Sequence, residues 1–275
     1  MNNSYRTSLC ISLNEVFDAI KKTNTVSEIL DEEWYRTIQD EIENYNFKND
    51  DPFSSEKAIM FFQLEHHYKK LLPIWDERLT ALRGLPFREK IETKFNHLKK
   101  RRYDLKIREI LFELLALGFF AQKGVLTDIE PNDTRVDGVI EIDKRQILIE
   151  ATHTSEEILP KRPGVGCGNL DRLIYQVEYK ISQKVAEGRQ IALADKVPAI
   201  LVLGRNFFGA DHYTSRIAIE ECFNDPKFSK LSGIIVADSW KLIKTKFYPA
   251  KNPETPLSEA ELETLNKWFR NKSST

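Results

Sequence analysis

Asp137 and Glu150 are the residues whose types and spacing best suit chemistry. They lie in two short apolar stretches, Val136 to Ile142 and Gln146 to Thr152, joined by the polar link Asp143-Lys144-Arg145. Such a link suits a β-hairpin. A turn centred between Asp143 and Lys144 puts Asp137 directly opposite Glu150, with Cβ atoms about 5 Å apart on one face of the sheet. A turn slipped by one residue puts Asp137 opposite Thr152 and leaves Glu150 a near neighbour. Two facing carboxylates repel, so the arrangement calls for a cation between them. Mg²⁺ or Mn²⁺ is the natural occupant, a hard ion held by one or two carboxylates together with water and phosphate. Ile147-Leu148-Ile149 is apolar on both faces, so Glu150 emerges from a buried strand rather than from solvated surface.

The elements that must position this pair can be read around it. Tyr103 to Phe119 has helical periodicity through Ile107, Ile110, Leu111, Leu114 and Leu115, with Gly118 as a stop signal. Val125 to Ile129 is a strand preceding the hairpin. After the hairpin, Pro163-Gly164-Val165-Gly166-Cys167-Gly168 lies in an irregular loop from Pro160 to Gly168. A helix from about Asn169 to Glu187 follows, capped by Asn169 or Asp171. Pro198 then opens the fully buried strand Ala199 to Leu203. A second helix and strand continue the pattern, from Tyr213 to Phe223 and from Ser232 to Ala237. The order α-β-β-β-α-β, extended by α-β, specifies an α/β sheet covered by helices.

The flanks read as helical. Val16, Phe17 and Ile20, then Ile29, Leu30, Trp34, Ile38 and Ile42, recur at helical spacing. Asn49-Asp50-Asp51-Pro52 is a break, and Ser54-Ser55 before Glu56 caps a helix expected to run to Pro73. An amphipathic stretch from Phe87 to Leu98 ends in Lys99-Lys100-Arg101-Arg102. Ser258-Glu259-Ala260-Glu261 is a capping box opening a last helix through Trp268. The expected organisation is a helical region over residues 1–102, an α/β core over 103–250 and a C-terminal helix over 251–275.

Composition narrows the function classes. The chain has 275 residues, 41% hydrophobic and 30% charged, which suits a globular protein. Its formal net charge is −1, so any polyanion site must come from local clustering. Three cysteines, Cys10, Cys167 and Cys222, are widely spaced and form no CxxC pair, so neither a disulfide framework nor structural zinc is indicated. No apolar run long enough to span a membrane is present, and the Met-Asn-Asn-Ser-Tyr-Arg start lacks signal-peptide character. A cytoplasmic location without a membrane partner is therefore expected. Gly164 to Gly168 is not a Walker loop, because no Gly-Lys-Ser/Thr follows. Cys167 lacks an evident His partner for nucleophilic work. On a helix, His66 and His67 would point about 100° apart and chelate poorly.

Glu109 in Arg108-Glu109-Ile110-Leu111, Val136-Asp137-Gly138 and Ile149-Glu150-Ala151-Thr152, in this order of elements, resemble the PD-(D/E)xK (restriction-endonuclease-like) nuclease superfamily. The resemblance covers about a hundred residues, Tyr103 to Gly204. It implies an αβββαβ core with a mixed sheet, and a Mg²⁺-dependent endonuclease acting on phosphodiester bonds, with DNA as the implied partner. It assigns Asp137 and Glu150 to the metal, with Glu109 completing the site. The lysine expected two residues after the glutamate is Thr152 here, which offers only a hydroxyl. His153 is aimed at the other face by the strand period. Some members of the superfamily carry the lysine on the following helix, where Lys180 and Lys184 stand one turn apart. Gln176, one turn earlier, is a candidate nucleic-acid contact, and Lys99, Lys100, Arg101 and Arg102 are candidate phosphate contacts. Two alternatives are a catalytically inactive nuclease-like binding or sensing module and a protein-interaction role for the helical N-terminus. Oligomeric state is open, a homodimer included.

Overall fold

Helical periodicity in the first part of the chain and strand–helix alternation in the second produce two compact units, 1–122 and 123–275. The computed structural model describes residues 2–47, 52–104, 106–131, 136–153, 169–185, 191, 196–205, 212–238 and 245–269. The expected break at Asn49-Asp50-Asp51 and the Gly/Pro-rich loop with Cys167 lie outside them.

The first unit contains α1 (Asn2–Ile20), α2 (Val26–Ile29), α3 (Glu32–Asn44), α4 (Ile59–Glu65), α5 (Tyr68–Arg83), α6 (Arg88–Lys100) and α7 (Ile107–Gln122). Leu9, Leu13, Val16, Phe17 and Ile20 of α1 are buried, as are Trp34, Ile38 and Ile42 of α3. These are the residues that helical spacing places on one face. Asp31 caps α3 by accepting from the Trp34 amide at 3.1 Å. Asp76 of α5 accepts from the amides of Asn24, Thr25 and Val26, so α2 is capped from a distance.

Three local expectations are corrected here. The Ser55 side chain does not cap a helix; its hydroxyl donates to Glu41 Oε2 at 2.9 Å. Pro73 does not end a helix but sits inside α5, while the chain breaks earlier, at His66-His67. Gly118 does not stop α7, which continues to Gln122. A Cβ on Gly118 would lie 2.7 Å from both Cβ and the carbonyl oxygen of Arg78, so the glycine is what lets α5 and α7 approach closely. That packing joins α7 to the other helices of the first unit, which runs to Gln122.

The second unit is built on a six-stranded mixed sheet in the order β1 (Leu126–Ile129), β2 (Gly138–Ile142), β3 (Arg145–His153), β4 (Ala199–Arg205), β5 (Gly233–Asp238), β6 (Thr245–Pro249). β1, β2 and β3 form an antiparallel meander, β3, β4 and β5 are parallel, and β6 returns antiparallel to β5. The parallel steps run through α8 (Asn169–Val185) and α9 (His212–Asn224), as such crossovers require. Leu148, Leu201, Leu203, Ile234 and Val236 on one sheet face share a core with Ile181 and Val185 of α8 and Ala218, Ile219 and Cys222 of α9. β6 was not expected from the sequence and adds an edge strand.

The C-terminal helix α10 (Glu259–Phe269) begins with the expected capping box. The Ser258 amide donates to Glu261 Oε2 at 2.6 Å, and the Glu261 amide donates to Ser258 Oγ at 3.2 Å. Glu261 is fully buried and also accepts from Arg145, the first residue of β3, at 3.2 Å. The same guanidinium donates to the Pro256 carbonyl.

Candidate functional site

The hairpin register is set at its turn. Asp143 and Lys144 both have positive φ, 51° and 62°, which a two-residue type I′ turn requires. Ile142 therefore faces Arg145, and the ladder runs in step to Gly138 facing Ile149. The next residue on either strand is Asp137 and Glu150. The slipped register, with Asp137 opposite Thr152, does not occur.

Asp137 stands at the bend where β2 begins, and it is held from both sides. Its carbonyl accepts from the Glu130 amide at 3.1 Å, and its Oδ2 accepts from the Ala151 amide at 2.7 Å. The carboxylate thus continues the β2–β3 ladder past the last backbone pair. Nothing in the sequence signals that contact, because its donor is main chain.

Glu150 is only 1% exposed. It shares the even-numbered face of β3 with Leu148 and Thr152, and Leu201 is its neighbour in β4. A carboxylate in such apolar surroundings costs several kcal/mol unless a positive group joins it, on the order of the 3–5 kcal/mol lost when a buried pair is broken. Lys184 joins it. The lysine Nζ bonds Glu150 Oε1. The reason lies in α8, where Ile181 and Val185 are buried against the sheet and carry Lys184, beside Val185, down to the strand. Lys180, one turn earlier on the same flank, is half-buried. Thr152 is buried two residues beyond Glu150 on the same face, and His153 is fully buried on the opposite one. The Gln176 side chain lies outside the described residues.

The remaining candidates belong to the helical unit. Arg102 is buried and its guanidinium donates to Ile29 O, Asp31 Oδ1 and Glu33 Oε2, so it fastens the α2–α3 junction instead of facing phosphate. Lys99 pairs with Asp31 at 2.7 Å and Arg101 with Asp104 at 2.8 Å. Lys100 is exposed. Glu109 is half-buried on α7, whereas Glu113 one turn on is paired with Lys94. Cys222 is buried between α9 and the sheet, and desolvation pushes its thiol up to about 12. Such a thiol is inert as a nucleophile. Among the described residues, no three His, Cys, Asp or Glu side chains form one metal-ligating group, and no helix is long and apolar enough to cross a membrane.

Comparisons of the chain with protein-family models, with curated proteins and with solved structures found no match.

Proposed function

We propose that the protein is a divalent-metal-dependent nuclease whose site is built from Asp137, Glu150 and Lys184. The observation that carries this reading is the Lys184–Glu150 pair beside Asp137 at the end of the hairpin. Two carboxylates at adjoining strand positions, one of them bonded by a lysine from the next helix, match what the superfamily resemblance leads one to expect where Thr152 stands in place of the usual lysine. The chain order β1–β2–β3–α8–β4 and the mixed sheet support the same reading.

The donor set fits Mg²⁺ or Mn²⁺, since both ligands are hard carboxylate oxygens and leave the remaining positions to water and phosphate. Such a cation supplies Lewis acidity and an activated water. Asp137 and Glu150 would hold it, and the hydrogen bond from the Ala151 amide fixes the Asp137 carboxylate in orientation. Lys184 offers a positive charge to a phosphate oxygen in the transition state. Lys180 is the second lysine of that flank, and Thr152 offers a hydroxyl to water or metal. DNA is the substrate the resemblance implies.

The expected result is Mg²⁺-dependent cleavage of DNA that disappears in Asp137→Ala and Glu150→Ala. Undiminished cleavage by both purified variants would sink the assignment. A second reading, a nuclease-like binding module without activity, draws on Thr152 and on the fact that Glu150 is already neutralised within the fold. Calorimetry separates the two, because absence of Mg²⁺ or Mn²⁺ binding at millimolar concentration favours the second.

A further inference from the structure

We infer that Lys184 is a resident counter-ion of the cation site, occupying Glu150 in the metal-free protein and leaving it when a divalent cation binds. This inference rests on the metal-site reading above and adds a regulated exchange to it.

The two partners differ in freedom. The Glu150 side chain is 0% exposed on a central strand, while that of Lys184 is 23% exposed on a helix flank. A buried carboxylate needs positive charge at all times, and the fold supplies it with or without metal. Lysine suits this use, because its ammonium is a compact charge on a flexible four-carbon stem. Two cations on one carboxylate oxygen repel strongly where water is excluded, so Lys184 has to move off Oε1 for a metal to take that oxygen. Its partial exposure gives the ammonium somewhere to go. Once released, it stays tethered one side-chain length from the site, where a metal-bound phosphate would lie. The same residue is therefore a plug before metal binding and a phosphate contact afterwards.

The exchange has a measurable consequence. If the pair is closed about 90–99% of the time, the apparent metal affinity is lowered about 10- to 100-fold by that occupancy. Removing the ammonium abolishes the competition. Isothermal titration of the full chain with Mn²⁺ alone, without nucleic acid, should show Lys184→Met binding about tenfold or more tighter than the unmodified protein. Lys184→Arg, which keeps a charge on Glu150, should not gain. At one fixed Mn²⁺ concentration, the melting temperature of Lys184→Met should rise more than that of the unmodified chain. Adding Glu150→Gln to Lys184→Met should erase both gains.

Equal or weaker Mn²⁺ binding by Lys184→Met, with measurable binding to the unmodified chain, overturns the exchange and leaves the metal site standing. Absence of Mn²⁺ binding in all these proteins overturns the metal site and the exchange together. Should Lys184→Met fail to fold without metal, recovery of a cooperative melt on adding Mn²⁺ supports the exchange, and failure to recover counts against it.

Discussion

Substituting Asp137 in two ways separates its structural work from its chemistry. Its Oδ2 lies 2.7 Å from the Ala151 amide, and Ala151 is 6% exposed. A hydrogen bond to a charged group contributes about 1.5–3 kcal/mol, and a neutral one about 0.5–1.5 kcal/mol. Asp137→Asn keeps an acceptor and should lose about 1 kcal/mol, whereas Asp137→Ala leaves a buried N–H unpaired and should lose about 2–3 kcal/mol. Both variants remove the repulsion between Asp137 and Glu150 alike, so the difference between them isolates the hydrogen bond. A gap of about 1–2 kcal/mol corresponds to a urea midpoint difference of roughly 0.5–1 M for a slope near 2 kcal/mol/M. Hydrogen exchange on residues 146–153 should show the Ala151 amide protected in Asp137→Asn and exposed in Asp137→Ala. Both should lose Mg²⁺-dependent cleavage, because neither carries the charge a metal needs. Identical midpoints and identical exchange would refute the structural part, and full cleavage by Asp137→Asn would refute the catalytic part.

Two further substitutions test the scaffold. Gly118→Ala should destabilise the helical unit by up to about 2 kcal/mol, since overpacking costs about 1–3 kcal/mol and the helix-propensity gain returns about 1. Gly84→Ala is its control: the nearest atom to the new Cβ is 3.5 Å away, and thermal melting should be unchanged or slightly raised. Lys144→Gly should stabilise the hairpin by about 0.5–1 kcal/mol in urea titration, because a left-handed residue costs about 1–2 kcal/mol without glycine, partly offset by unfolded-chain entropy. Cleavage should be unaffected, as the turn is at the far end of the ladder from Asp137.

The parts that were legible in the sequence are those fixed by local rules. Asp143-Lys144 between two apolar runs leaves few turn lengths, so the register that brings Asp137 and Glu150 to adjoining positions could be worked out in advance. The uninterrupted Ala199 to Leu203 run could only be a central strand, and Ser258 to Glu261 carries both halves of its cap in four residues. Features decided by packing were not legible. Gly118 has the same identity whether it ends a helix or admits a neighbouring one, and only Arg78 lying against it distinguishes the two. β6 is five residues ending in proline, too short for a periodic signal against the length of its surroundings. Lys180 and Lys184 share a helix flank, and the choice between them depends on how deeply Ile181 and Val185 seat α8 on the sheet. Arg102 reads as one of four surface cations, yet three oxygens at the α2–α3 junction hold it inside.

The Arg145–Glu261 pair also bears on the order in which the chain acquires its structure. Arg145 starts the strand that carries Glu150, and its partner lies 116 residues downstream. At a synthesis rate of about 5–20 residues per second, β3 waits about 6–23 s before that partner is made. During this interval the hairpin has its turn, β4 and then β5 are made, and α10 comes last. The sheet is thus completed only once β6 has been made, whereas the elements of the helical unit all lie within the first 122 residues and can consolidate earlier.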